Sequence, residues 1–184
     1  MNIKITTEWE KFSHLFERLE IPVYTKLLSE GQFSDQAFII LKGALRSFTN
    51  DDASDITYQF FFEDEFFFSV ESFLNSRPSL LSLETIEPST IYSISKNNFH
   101  QIIKSSDILQ KQIDEFTLQT MIHFHDIATY RIEHDPEKKY LKLQKDNPRI
   151  LLRVPQYYIA SFLGISVKEL NQVQNKYDSE KKLN

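Results

Sequence analysis

His123 and His125, in the triplet "HFH", are the nearest approach to a metal-ligand pair in this chain of 184 residues. Residues two apart on a helix point to different faces, so the pair does not easily reach one ion; His123 fits better in a helical seam described below. The chain has no cysteine, which excludes disulfides, thiolate zinc sites, cysteine-ligated iron–sulfur clusters and thiol redox sensing. No Ser/His/Asp order, glycine-rich phosphate loop or paired-carboxylate motif stands out, so neither catalysis nor a cofactor is expected. "EDE" at 63–65 reads as a solvated acidic turn. What remains for chemistry is a group of hydrogen-bonding side chains near the C-terminus: Lys168, Asn171, Gln172 and Asn175.

Those four residues need a helix to present them, and the sequence around them supplies one. Pro155 suits the start of a helix, where its missing N–H has no partner to lose. Ala160 lets a second helix cross closely, and Gly164 makes a tight turn. "SVKE" at 166–169 then has the pattern of a capping box, Ser166 capping the Glu169 N–H and the Glu169 carboxylate reaching back. Leu170, Val173 and Tyr177 share an inward face, which leaves Lys168, Asn171, Gln172 and Asn175 outside. An alanine, a glycine four residues later and a capped helix form a helix-turn-helix signature.

The charge distribution agrees with that signature. The whole chain carries net −5, but residues 1–135 hold 11 Lys and Arg against 21 Asp and Glu, whereas residues 136–184 hold 10 against 5. A basic C-terminal segment on an acidic body is the footprint of a DNA-binding end. Phosphate anchoring falls to Lys138, Lys139, Lys142, Lys145, Arg149 and Arg153, with Lys176, Lys181 and Lys182 behind.

The rest of the chain changes period twice. "TEWEKFSHLFERL" (7–19) spaces Trp9, Phe12, Phe16 and Leu19 as one apolar face of a short helix. From Ile21 to Ile94 come "IPVYTKLL", "AFIILKG", "ALRSFTN", "DITYQFFF", "LLSLETIE" and "TIYSIS", separated by turn signals. Many short strands at regular spacing predict an antiparallel barrel or sandwich. Its phenylalanine runs, 60–62 and 66–68, fill the barrel or line an apolar pocket. From 106 to 134, Leu109, Phe116, His123 and Tyr130 recur every seven residues, interleaved with Ile113, Thr120, Ile127 and His134. Two interleaved heptad rows predict a seam between two helices and hence a homodimer, with Met121, Ile122 and Phe124 lying off the seam and a second face packed on the barrel. "HDPEKKY" (134–140) ends the helix, because Pro136 disfavours helical geometry in the residue before it. The expected organisation is α+β: a barrel domain over 1–105, a dimerisation helix and hinge over 106–135, and a helix-turn-helix domain over 136–184. The sequence has no apolar run of about 18 residues and no basic-then-apolar N-terminus, so a cytoplasmic protein with no membrane partner is expected.

This order resembles the Crp/Fnr family of transcriptional regulators. The residues that carry the resemblance are "FIILKGALRSF" (38–48), "FFFSVESF" (66–73) and, most specifically, "RVPQYYIASFLGIS" (153–166). The resemblance implies a cyclic-nucleotide-binding-like jelly-roll, a homodimer through the long helix, double-stranded DNA and RNA polymerase as partners, and a small-molecule effector. It places Gln156, Ser166, Val167, Lys168, Asn171, Gln172 and Asn175 at the DNA, with Lys138 and Lys139 on its phosphates. Gln172 can pair with adenine and Val167 can meet a thymine methyl, so an A/T-leaning site is possible. The family's reading arginines and its β wing are missing. In cyclic-nucleotide-binding members a Gly-Glu pair holds the ribose and an Arg-Ser or Arg-Thr pair grips the phosphate; Phe68, Ser69, Ser79 and Leu80 stand there instead, and Arg77 lies two positions early. A buried phosphate without a cation is costly, so cyclic AMP binding should be lost. The rival reading is a ligand-binding or protein-interaction module of the same fold with little DNA affinity.

Overall fold

Alternation of side chains about each strand builds two four-stranded sheets in the computed structural model, which describes residues 7–51 and 54–183. One sheet has the order β1 (Glu17–Ile21), β8 (Ser89–Ser95), β3 (Gln36–Lys42), β6 (Phe66–Phe68). The other has β2 (Lys26–Leu28), β7 (Ser82–Thr85), β4 (Leu45–Asp51), β5 (Ser54–Phe61). Every pairing is antiparallel, as a jelly-roll requires. In β3, Phe38 and Ile40 face between the sheets, against Leu45, Phe61, Leu83 and Ile91. Ala37 and Ile39 face outward, where Trp9, Phe73, Phe99, Ile102 and Leu109 cover them. The strand is buried on both sides and therefore reads as a continuous apolar run. Each large apolar side chain buried this way contributes about 1.5–3 kcal/mol relative to leaving it in water.

The helices form the outer layer. They are α1 (Thr7–Glu10), α2 (Val70–Asn75), α3 (Lys96–Ser105), α4 (Asp107–Ile132), α5 (Pro136–Asp146), α6 (Pro148–Arg153), α7 (Gln156–Leu163) and α8 (Val167–Leu183). Ser95, Ser106 and Asp135 cap α3, α4 and α5 by accepting hydrogen bonds from Asn98, Leu109 and Glu137 N–H. A third apolar cluster joins Phe60 and Phe62 to Ile127 and Tyr130 of α4 and to Ile159, Phe162, Leu163 and Leu170 of the C-terminal helices. The one N-terminal helix expected over 7–19 is instead a single turn, a short 3-10 turn at Ser13–Leu15, and strand β1. Five pairs with β8, Glu17↔Ser93 through Ile21↔Ser89, outweigh the helical spacing that took in Leu19.

The heptad rows of α4 do not form an exposed seam. Leu109 is buried in the barrel-side cluster with Ile113 and Phe116 against it. Ile127 and Tyr130 are buried in the C-terminal cluster. Thr120 faces the barrel, where it lines a cavity described below; the side chain of His123 lies outside the described residues. The buried members of the rows, Leu109, Ile127 and Tyr130, pack on this chain's own core, and Ile113, Phe116 and Thr120 are half-buried. The apolar side chains of α4 left in solvent lie off the rows: Leu118, Met121 and Ile122 are 61%, 65% and 56% exposed, with Ile108 before them and Phe124 and Ile132 beyond.

Candidate effector pocket and nucleic-acid interface

The turn between α7 and α8 has the local geometry its sequence demands. Gly164 closes α7 in the left-handed conformation at φ 63°, where a side chain would be strained. Glu169 Oε2 accepts from the Ser166 N–H at 2.8 Å and from its hydroxyl at 2.7 Å, while Ser166 Oγ accepts from the Glu169 N–H at 3.1 Å. These bonds, the Ser166 N–H foremost, hold the Glu169 carboxyl below its ordinary range. Leu170 is buried, and Val167, Lys168, Gln172 and Asn175 are exposed, with Asn171 half-buried beside them. Gln156 Nε2 donates to Gln174 Oε1 at 3.0 Å, which ties the start of α7 to α8. Helix α8 runs on to Leu183, through the stretch where a β wing would fold.

Much of the basic segment is already occupied within the chain. Lys139, expected on phosphate, is only 5% exposed, and its Nζ donates to the Leu163 carbonyl at 2.6 Å. That bond satisfies a carbonyl at the C-terminus of α7, where the helix dipole favours a cation. Lys142 donates to Thr129 Oγ1. Arg149 bonds Glu65 at 3.1 Å. Arg153 grips Glu63 with both terminal nitrogens (2.7 and 2.8 Å), Glu87 at 2.6 Å and the Gly43 carbonyl at 3.1 Å. Lys176 meets Glu137 at 2.7 Å. Among the described side chains of the expected phosphate ligands, Lys138 and Lys145 remain exposed without such a bond. The "EDE" turn is therefore not merely solvated. Asp64 is exposed, but Glu65 is buried and Glu63 is held by Arg153, which lowers its pKa from 4.5 to about 2. Glu63, foremost, and Glu87 push the Arg153 guanidinium further above its already high range.

A second layer of this dock centres on Arg46, 2% exposed between β4 and α7. It donates to Glu84 and Asp55, both at 2.7 Å, and to Thr57 Oγ1 at 3.0 Å, and its guanidinium carbon lies 3.7 Å from the centre of the Tyr158 ring. Tyr158 donates to Glu84 at 3.1 Å; burial, foremost, pushes its phenol pKa up. The Thr57 N–H donates to Ser161 Oγ at 2.8 Å, and that hydroxyl donates to the Asp55 carbonyl at 3.0 Å. Helix α7 is thus bonded to the β5 backbone through the Ser161 side chain.

The inner face of the same strands lines a cavity of about 430 Å³, roofed by α4. Phe61, Phe66, Phe67, Phe68, Phe116 and Phe124 supply most of its wall. Ser47 pairs with Gln59 and Phe48 with Thr57, so Tyr58 is an extra residue on β5. This bulge turns the Tyr58 ring toward Phe124 on α4, with centroids 6.2 Å apart. Of the expected pocket residues, Phe68, Ser69 and Leu80 do line the cavity. Ser79 does not: it is buried, its Oγ donates to the Leu81 carbonyl at 2.7 Å, and its backbone bonds Gly31 and Gln32. Arg77 is exposed and is not part of the lining. Five polar residues of the wall were not singled out by the sequence: Ser47, Gln59, Thr49, Tyr58 and Glu71. Only the strand alternation of "ALRSFTN" against "DITYQFFF" pointed at the first two.

Residues 21–106 match the cyclic nucleotide-binding domain family. No curated protein matches the sequence. Among solved structures, the fold is similar to that of CLP from Xanthomonas campestris, described as a c-di-GMP responsive global regulator, with 17% identity, TM-score 0.75, and 95% of this chain and 92% of that one covered. It is similar to FixK2 from Bradyrhizobium japonicum at 14% identity and TM-score 0.76, covering 90% and 86%. A CooA mutant from Carboxydothermus hydrogenoformans matches at 13% identity and TM-score 0.71, covering 91% and 78%. At these identities the likeness establishes a shared fold, jelly-roll and helices together. No helix among the described residues is long and apolar enough to cross a membrane.

Proposed function

We propose that the chain is a DNA-binding transcriptional regulator of the Crp/Fnr type, organised as an effector domain, a dimerisation helix and a C-terminal helix-turn-helix domain. The observation that carries this reading is the pair α7–α8. A left-handed glycine and a reciprocal capping box join the two helices, and the second helix leaves Val167, Lys168, Gln172 and Asn175 in solvent. The effector site is the cavity under α4, and it is not a cyclic AMP site. No Lys, Arg or His lies among the described residues that line it, so a buried cyclic phosphate would give up its water for no cation. The dimer forms through the exposed stripe of α4, Leu118, Met121 and Ile122.

DNA affinity rests on fewer cations than the sequence offers, since Lys139, Lys142, Arg149 and Arg153 are bonded inside the chain. Binding is therefore weak and salt-dependent, with Lys138, Lys145 and Lys168 on the phosphates and Gln172 on a base. A mobility-shift titration across salt concentrations tests this. Lys138→Ala should weaken binding to every duplex and reduce the salt slope by about two, one lysine–phosphate pair for each subunit of the dimer. Gln172→Ala should relax sequence preference by about 1–3 kcal/mol with little change in slope. No complex with any duplex at low salt would favour the rival reading, an interaction module, for which the internally bonded cations already speak.

A further inference from the structure

The cavity under α4 has polar groups that its own chain leaves without full use, and they state a preference. Ser47 is only 1% exposed, and its Oγ has no hydrogen-bond partner. A buried hydroxyl in that condition costs about 1–3 kcal/mol, so the pocket holds a standing reward for a molecule that bonds it. Gln59, its cross-strand partner, is buried beside it on the same wall. At the mouth of α2, Glu71 brings a half-buried carboxylate into the lining, and its approach to Ser69 Oγ is long, at 3.4 Å. The remaining wall is largely phenylalanine, whose ring faces attract cations and offer nothing to an anion. Among the described lining residues there is no cation to balance Glu71.

Resting on the reading of this cavity as the effector site, we infer that its ligand is an apolar amine: an aromatic or aliphatic body that fills the phenylalanine wall, with an ammonium group on Glu71 and a polar atom within reach of Ser47. Anions of the same size are excluded twice. They meet a like charge at Glu71, and they lose their hydration without a counter-charge.

Calorimetric titration of the full chain with three molecules that share one indole body separates the possibilities. Tryptamine should bind about tenfold more tightly than tryptophol, and indoleacetate and cyclic AMP should bind more weakly than either. Glu71→Gln should bring tryptamine down to the tryptophol level and leave tryptophol unchanged, which also certifies that the variant is folded. Ser47→Ala should weaken tryptophol and tryptamine alike. The inference is overturned if indoleacetate or cyclic AMP equals tryptamine, if Glu71→Gln leaves tryptamine binding intact, or if neither amine nor alcohol binds at millimolar concentration. A mobility shift on ligand-free protein reports the DNA reading separately, so that reading can fail while the titrations remain interpretable.

Discussion

Arg153→Gln distinguishes a docking arginine from a phosphate ligand. In the structure its guanidinium grips Glu63 with two prongs, meets Glu87 at 3.1 and 2.6 Å, and donates to the Gly43 carbonyl. Hydrogen bonds to charged groups contribute about 1.5–3 kcal/mol each when buried. Here the side chains of Arg153 and Glu63 are 28% and 33% exposed, so water recovers part of that on rupture. The variant also leaves Glu63 and Glu87 with no guanidinium between them. The expected net loss is about 2–3 kcal/mol, read as a lower denaturant midpoint. Amide exchange should quicken at Thr57, whose N–H is tied to Ser161 on α7. In a double-mutant cycle with Glu63→Gln the coupling should exceed about 1 kcal/mol. A coupling below about 0.5 kcal/mol, together with a shallower salt dependence of DNA binding, would refute the reasoning: Arg153 would then be a phosphate ligand after all.

Three further outcomes follow from the same geometry. Replacing Leu118 and Ile122 with Glu should give a folded monomer by sedimentation, whereas Phe116→Glu with Ile127→Glu should unfold the chain, because those two side chains pack inside it. Glu63 titrates near 2 when docked and at 4.5 when released, so its contribution is complete above pH 4.5 and is lost as pH falls toward 2; acid titration followed by amide exchange at Thr57 should show this loss, with a flatter profile in Arg153→Gln. Gly43→Ala should destabilise by at least about 2 kcal/mol in denaturant melts, since φ is +97° and the new Cβ would stand 2.4 Å from Ser89 Oγ and 2.7 Å from the Pro88 carbonyl.

The strands of the jelly-roll and the α7–α8 turn were legible in the sequence because their signals are local. Alternating β-branched and aromatic residues, a glycine, and a serine three residues before a glutamate each act within a turn or two. The face of α4 that meets solvent was not legible. A heptad row records only that one stripe is buried, and it does not say whether the cover is a second chain or the same one. Leu109, Phe116 and Ile127 satisfy the pattern against parts of their own chain, and the apolar residues off the pattern, Leu118, Met121 and Ile122, are the ones left over.

The charge asymmetry carried two meanings for a related reason. Ten basic residues facing an acidic body is equally the signature of a domain that binds DNA and of a domain that binds its own neighbour, since both partners are polyanions to it. The structure commits Arg149 and Arg153 to the acidic turn and to Glu87, and it leaves Lys138, Lys145 and Lys168 outside. Arginine went to the bidentate carboxylate sites, where its planar fork fits, and lysine went mostly to the surface. The β4–β5 ribbon lies between the two halves of this arrangement. Side-chain alternation puts Ser47 and Gln59 in the cavity and Arg46 and Thr57 under α7, so neighbouring residues on one strand face the cavity and the C-terminal helices. The bulge at Tyr58 is the irregularity that lets Gln59 and Thr57, two residues apart, serve opposite sides. The wall of the cavity and the anchor of α7 are therefore one and the same strand, β5.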